Sequence, residues 1–374
     1  MGRSIPGWPG PGHRSSVGVA FGALLAAVLV GAVPAPGQAP PSLAETGLYA
    51  DAATRTLAPG VFPYSPQYPL WTDGATKRRW IRLPEGTAID ASDPDAWIFP
   101  VGTRIWKEFS FGRPIETRYM ELLPEGHWLY ATYRWSAEGS QALLAPERGV
   151  KRATESRPGV PYGLPAVADC RACHDSGASA VLGFSALQLS SDRDPAAPHA
   201  TAPEAGSVDL AELVRRGLVV GLPPELAAGT LRVRAATPIA RTALGYLHGN
   251  CSHCHNPRSP IANLGLFLDV RADGTPDALA SAVGQPSHYR PTGTGIELRV
   301  VPGHPAESLL IARVSSRNPV RQMPPMATRL VDEEALALIT RWIADDLLAP
   351  PPAAGTTPVI SPAPSSGTSQ EEAP

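Results

Sequence analysis

The sequence predicts an α+β multidomain chain: an N-terminal antiparallel β-sandwich-like domain followed by two mainly α-helical segments, each centred on one pair of cysteines. Three observations predict it. Residues 60–135 hold 15 of the 24 aromatic side chains, spread through short alternating runs. All four cysteines fall later, in two pairs of identical spacing. The flanks of the second pair carry helix-start signals and apolar residues at helical spacing. At 374 residues the chain allows two or three compact units, on a prior of roughly 150 residues per domain. A hydrophobic share of 43% against 18% charged supplies a core and excludes full disorder. With 32 Lys+Arg against 34 Asp+Glu the net charge is −2 and no long basic run occurs, which excludes nucleic-acid binding by phosphate neutralisation.

Residues 1–41 read as a signal peptide or N-terminal anchor: Arg3, His13 and Arg14, then a nearly uncharged run from Val17 to Val33, then the small, Pro-rich stretch up to Pro41. Either outcome places the body of the protein outside the cytoplasm, in a periplasmic or exported location. An uncleaved anchor would be its only membrane attachment. Residues 42–155 read as the β domain. Ile105, Lys107, Phe109 and Phe111 alternate with Trp106, Glu108 and Ser110, while Leu129, Ala131, Tyr133 and Trp135 alternate with Trp128, Tyr130, Thr132 and Arg134. Asp73-Gly, Pro84-Glu-Gly, Phe111-Gly-Arg-Pro and Pro124-Glu-Gly punctuate these runs. The basic run Lys77-Arg78-Arg79 beside Trp80 reads as a strand with one wet face rather than a ligand site.

The cysteines stand as Cys170-Arg-Ala-Cys173-His174 and Cys251-Ser-His-Cys254-His255. C-x-x-C-H is the spacing of covalent c-type haem attachment: two thiols three residues apart reach the two vinyl groups of one porphyrin, and the adjoining imidazole falls under the iron. Chance would produce about 0.001 such motifs at this composition. Zinc would need four ligands in one place, and 78 residues (251 − 173) separate the pairs. Disulfides inside each pair would close loops too small to stabilise much. Two covalent c-type haems are therefore expected, held by Cys170, Cys173, Cys251 and Cys254 with His174 and His255 as proximal ligands. This divides the remainder into a first haem segment at 156–235, a second haem domain at 236–349 and a disordered tail at 350–374, where Pro, Ser, Thr and Ala dominate.

Around the second motif, Thr237-Pro238 supplies an N-cap and an N1 proline, with Ala240, Ala243, Leu244 and Leu247 at helical spacing. Asp332 can cap a closing helix whose Leu336, Ile339, Ile343 and Leu347 share a face beside Trp342. That plan is cytochrome-c-like. Between these helices, Met323-Pro-Pro presents a thioether on a proline-stiffened loop as the second iron's sixth ligand. Met326 reads as a packing or surface residue, His253 as solvent-facing and His304 as an exposed turn residue.

The blocks Gly245-Tyr-Leu-His-Gly-Asn-Cys251-Ser-His-Cys254-His255, Leu264-Gly-Leu-Phe-Leu-Asp269, Val301-Pro-Gly-His-Pro and Met323-Pro-Pro resemble a largely uncharacterised family of exported dihaem c-type cytochromes. Upstream, Tyr68-Pro-Leu-Trp-Thr-Asp-Gly, Trp97-Ile-Phe-Pro-Val-Gly-Thr and Glu116-Thr-Arg resemble the same family, so the similarity runs over about residues 45 to 348. Similar blocks accompany pyrroloquinoline-quinone sugar dehydrogenases. The resemblance implies redox function and supports Met323 as a ligand.

The first haem lacks a local methionine, since none occurs between 174 and 323. Its distal position is either open or filled by His199, His248 or Met120. A closed iron means electron transfer between a donor such as a dehydrogenase and an acceptor such as another cytochrome; an open one allows peroxidase-like or other small-molecule chemistry. Electron transfer is the favoured class, a haem enzyme the second, and a ligand-binding module built on the β domain the third. No catalytic residue is singled out.

Overall fold

The computed structural model describes Gly7, residues 37–227 and residues 230–347. The expected signal or anchor, apart from Gly7 and 37–41, and the expected tail lie outside the described residues. No helix among the described residues is long and apolar enough to cross a membrane.

Twelve strands are described: β1 Tyr49–Asp51, β2 Thr56–Leu57, β3 Val61–Pro63, β4 Thr76–Arg82, β5 Ile89–Asp90, β6 Arg104–Phe111, β7 Arg113–Leu122, β8 Trp128–Trp135, β9 Ala142–Leu144, β10 Val150–Arg157, β11 Val160–Leu164 and β12 Val219–Val220. Six of them form one antiparallel sheet in the order β3-β4-β6-β7-β8-β9. Its strands alternate as the sequence requires. Trp80, Trp106, Tyr119 and Ala131 stand in one cross-strand row on one face, and Ile81, Ile105, Met120 and Tyr130 in the next row on the other.

Both faces are buried. The tryptophan face is covered by Leu43, Leu48 and Tyr49 from the segment that precedes the sheet, and Val61 of β3 joins the same cluster. The other face is covered by Val181, Phe184, Leu189, Leu210, Leu213 and Val219. Among the described residues no second large sheet faces the first, so the covering layer is irregular chain rather than the other half of a sandwich.

Seven α-helices occur among the described residues, and they are short: α1 Val167–His174, α2 Leu210–Arg215, α3 Pro224–Ala227, α4 Pro238–Cys251, α5 Ala278–Ala282, α6 Leu309–Val314 and α7 Glu333–Arg341. The longest, α4, has 14 residues. The molecule is mainly β, which overturns the expectation of two mainly α-helical cytochrome-c-like segments after a β-sandwich. The physical reason lies in where the apolar residues go. Residues 181–219 spend most of theirs on covering the sheet, with Leu187 and Ala197 going to the cluster around α4, instead of building a core of their own, and β5 and β12 even pair in parallel across the two regions. The boundary drawn at 155/156 falls inside β10, whose hairpin partner β11 leads straight into α1.

Two helices start where local chemistry directs. The Thr237 hydroxyl accepts from the Ala240 N–H at 3.0 Å, with Pro238 at the first helical position of α4. The Asp332 carboxylate accepts from the Ala335 N–H at 3.2 Å to cap α7, which runs on into a π-helical turn at Trp342–Asp346. Ala240, Ala243, Leu244 and Leu247 of α4 share a buried cluster with Ile339, Trp342 and Ile343.

Candidate functional site

The first Cys pair rides on α1, which lies on the sheet beside β8. The His174 ring sits 5.5 Å from the Tyr130 ring, and the Tyr130 hydroxyl donates to Asp175 at 2.7 Å. Cys170 packs against the core that contains Met120 and Tyr130. His174 Nδ1 lies 2.6 Å from the Ala180 carbonyl, which can only accept, so the ring proton sits on Nδ1 and Nε2 keeps its lone pair. Burial pushes the His174 pKa down to about 4, keeping the imidazole neutral, the form that binds metal.

The second pair follows α4. Cys251 is its last residue, and the chain then turns so that the Cys254 and His255 N–H groups donate to the Cys251 carbonyl at 3.1 and 2.9 Å. Burial drives the Cys251 thiol up to about 12. The His255 pKa falls to about 4, from burial and then from His253 and Arg313. Its Nδ1 is buried without a well-aligned hydrogen bond, although the Leu266 backbone opposes the fall in pKa.

The two motifs meet. The Cys173 and Cys254 sulfurs and a ring nitrogen of His253 all lie within 4.8 Å of one another. Cys173 is raised to about 12, first by its hydrogen bond to Cys254 and then by burial, while the same bond lowers Cys254. The buried Asn256 side chain donates to the Ser176 carbonyl at 3.1 Å and the Ser252 carbonyl at 2.8 Å, tying the chain after one motif to the chain after the other. His253, expected to face solvent, is instead half-buried within this cluster.

A cavity of about 1200 Å³ opens beside the first motif, larger than the roughly 300–1,000 Å³ of most small-molecule pockets. Its walls include Cys170, Cys173 and His174 from α1, Met120 and Tyr130 from the sheet, and Met326 from the loop before α7. The donor set and the volume fit a covalently attached porphyrin there: two thiols and an imidazole with a free Nε2 line one roomy space with apolar and charged walls.

The remaining candidate ligands separate by their partners. His199 is held by Asp332, 2.9 Å from Nε2, and by Glu334, 3.6 Å from Nδ1. His248 lines the cavity, but its Nδ1 accepts from the Val270 N–H at 3.0 Å, which places the ring proton on Nε2. Met120 is buried in the cavity wall. Met326, set aside in the sequence, lines the same cavity at 39% exposure. Met323 is outside that lining. Its N–H donates to the Arg313 carbonyl at 3.0 Å, and the Arg313 charge acts on His255, so Met323 and the second motif share a neighbour. His304 is exposed, 3.4 Å from Glu307, as its turn predicts.

No protein-family model, no curated protein and no solved structure matches this chain.

Proposed function

We propose that the chain is an exported dihaem c-type cytochrome that relays electrons between a redox partner, such as a dehydrogenase, and an acceptor such as another cytochrome. One observation carries the reading: Cys173 and Cys254 lie 81 residues apart (254 − 173), yet their sulfurs fall within 4.8 Å. Groups attached through these two sulfurs start from adjacent points, which is what a relay between two centres needs. When bound, the two haems supply one-electron iron couples. The residues of the chain do the rest. Cys170 and Cys173 anchor one porphyrin and Cys251 and Cys254 the other, with His174 and His255 as proximal ligands. The Ala180 carbonyl holds the His174 ring in the tautomer that presents Nε2. Asn256 fixes one attachment segment against the other. Met323 is the sixth ligand proposed for the second iron, where a thioether would favour Fe(II).

The cluster itself supports a second reading. Cys173, His253 and Cys254 are three ligands of the types that bind zinc. That reading leaves Cys170, Cys251, His174 and His255 without a role. The chain, expressed with its N-terminal segment in cells that mature c-type cytochromes, decides between the two. Two covalent haems per chain by pyridine haemochrome assay and intact mass support the relay; a haem-free chain holding one zinc per molecule supports the second reading.

A further inference from the structure

We propose that Arg79, Lys107 and Arg118 form a carboxylate-binding site on the cavity face of the sheet. The three residues are direct cross-strand neighbours: Arg79 pairs with Lys107 and Lys107 with Arg118, so three cations stand in one row across β4, β6 and β7. All three line the cavity. Like charges placed directly opposite each other in a sheet are destabilising, and withdrawing each ion from water adds to the cost. A row like this needs an anion to offset it.

The protein supplies only part of one. Glu116 accepts from Arg118 at 2.7 and 3.3 Å, and it is shared with the Tyr162 hydroxyl at 2.6 Å. Arg79 is 5% exposed, and among the described residues its side chain has neither a hydrogen bond nor an ion pair. Lys107 has no hydrogen bond or ion pair from its ammonium among the described residues, and its Nζ lies 5.2 Å from the Phe109 ring. Lys77, two residues before Arg79, spends its ammonium on the Ala75 carbonyl at 2.9 Å. Burial and then the neighbouring cations push Lys107 well below the usual lysine range and Lys77 to about 7, although Glu116 on the one and Asp332 and Asp73 on the other oppose the shift. Burial also lowers Arg79 to about 10 against the pull of Tyr64.

The neighbouring row defines the rest of the ligand. Ile105 and Met120 stand two residues along the strands from Lys107 and Arg118, about 7 Å away. A molecule lying on Ile105, Met120 and Tyr130 with a carboxylate over the cations would have an apolar body and an acidic edge. Planar guanidinium groups suit such an acid. Two sources have this chemistry: the propionates of a porphyrin held at Cys170, Cys173 and His174, and a free apolar carboxylic acid. The first source rests on the function proposed above; the second does not.

The full chain, matured with haem whose propionate carboxyls carry ¹³C, distinguishes them. If propionates fill the site, Lys107→Gln moves at least one propionate resonance and weakens its ionisation about tenfold, one pKa unit. Arg78→Gln, on the opposite face where Arg78 pairs with Glu204 at 2.7 Å, leaves it unchanged. If a free acid fills it, the propionates do not respond, and octanoate raises the melting temperature of the wild type but not of Lys107→Gln or Arg79→Gln. A chain that carries no haem but still binds octanoate through these residues would sink the electron-relay reading and leave this site standing. Propionates indifferent to Lys107→Gln, together with no octanoate binding, would overturn the proposal.

Discussion

The approach of the segment before β4 to α4 sets up a sharp test, because it depends on two missing methyl groups. Tyr68 lies across Gly245 and Gly249 of α4. A Cβ on Gly249 would fall 2.2 Å from the Tyr68 carbonyl oxygen, and one on Gly245 would fall 2.1 Å from the Tyr68 ring. In an exposed helix, Gly→Ala gains about 1 kcal/mol. Here the Tyr68 backbone would have to retreat by at least 0.8 Å (3.0 − 2.2) to reach the shortest tolerable contact. That carbonyl accepts from Gln188 Nε2 at 3.2 Å, and the Tyr68 N–H donates to Gln188 Oε1 at 3.0 Å, so the retreat breaks at least one buried bond. Overpacking costs about 1–3 kcal/mol and a lost buried bond about 1–2 more; less the helix gain of about 1, the net destabilisation in Gly249→Ala is about 1–4 kcal/mol. At about 2 °C per kcal/mol for a chain of this size, the melting temperature should fall by about 2–8 °C. Gly177→Ala is the control, since its new methyl would meet nothing closer than 3.7 Å. A Gly249→Ala protein as stable as the wild type in calorimetry, or more so, would refute the reasoning.

Other substitutions test neighbouring steps. Asn250 is 5% exposed; its Oδ1 accepts from the Trp71 N–H at 2.7 Å and its Nδ2 donates to the Pro69 carbonyl at 3.2 Å. Asn250→Ala should therefore cost about 2–3 kcal/mol in urea denaturation, and a loss below about 0.5 would mean that the segment is held elsewhere. If Met323 holds the second iron as proposed, Met323→Ala abolishes the sulfur-to-iron charge-transfer band of the ferric protein; a surviving band would move the ligand to Met120 or Met326. Asp269 is raised to about 6, chiefly by burial and then by Asp277 and Asp95. The folded state then binds its proton more tightly than the unfolded chain does, so stability is lost as pH rises from about 4 to 6. Discounted for partial exposure, Asp269→Asn should add about 1–2 kcal/mol at pH 7 and flatten that slope, whereas an unchanged slope would remove Asp269 as its source.

Much of this was legible because it is local. The C-x-x-C-H spacing, the Thr237 and Asp332 caps and the alternation of β6 and β8 each depend on residues a few positions apart, and each motif appears where the sequence places it. What escaped depends on partners far along the chain. The run Lys77-Arg78-Arg79 beside Trp80 reads as a strand with one wet face, because nothing within β4 reveals that Arg79 will stand opposite Lys107 under a covering layer. The helical content was overread for the same reason: Val181, Phe184 and Leu189 look like material for a small helical core until the sheet face that claims them is seen. His253 looked solvent-facing because its surroundings come from Cys173, on the other motif.

The segment Tyr64–Thr72 explains how sites so distant in sequence converge. Tyr64 belongs to the core on the sheet, while Tyr68 belongs to the core around α4. Between them the Gln67 N–H donates to the Gln188 carbonyl at 2.9 Å, which fastens the covering layer that follows the first motif. Beyond Tyr68, the Trp71 N–H reaches Asn250, the residue before Cys251. One short stretch thus bonds to the chain after Cys173 and to the helix that ends at Cys251. The glycines at 245 and 249 are what let it lie close enough to do both. On this account the meeting of Cys173 and Cys254 follows from the packing of a proline-rich connector against a helix. Loosening that connector should separate the two sulfurs before it unfolds the sheet, because the rows of β4, β6, β7 and β8 are bonded independently of it.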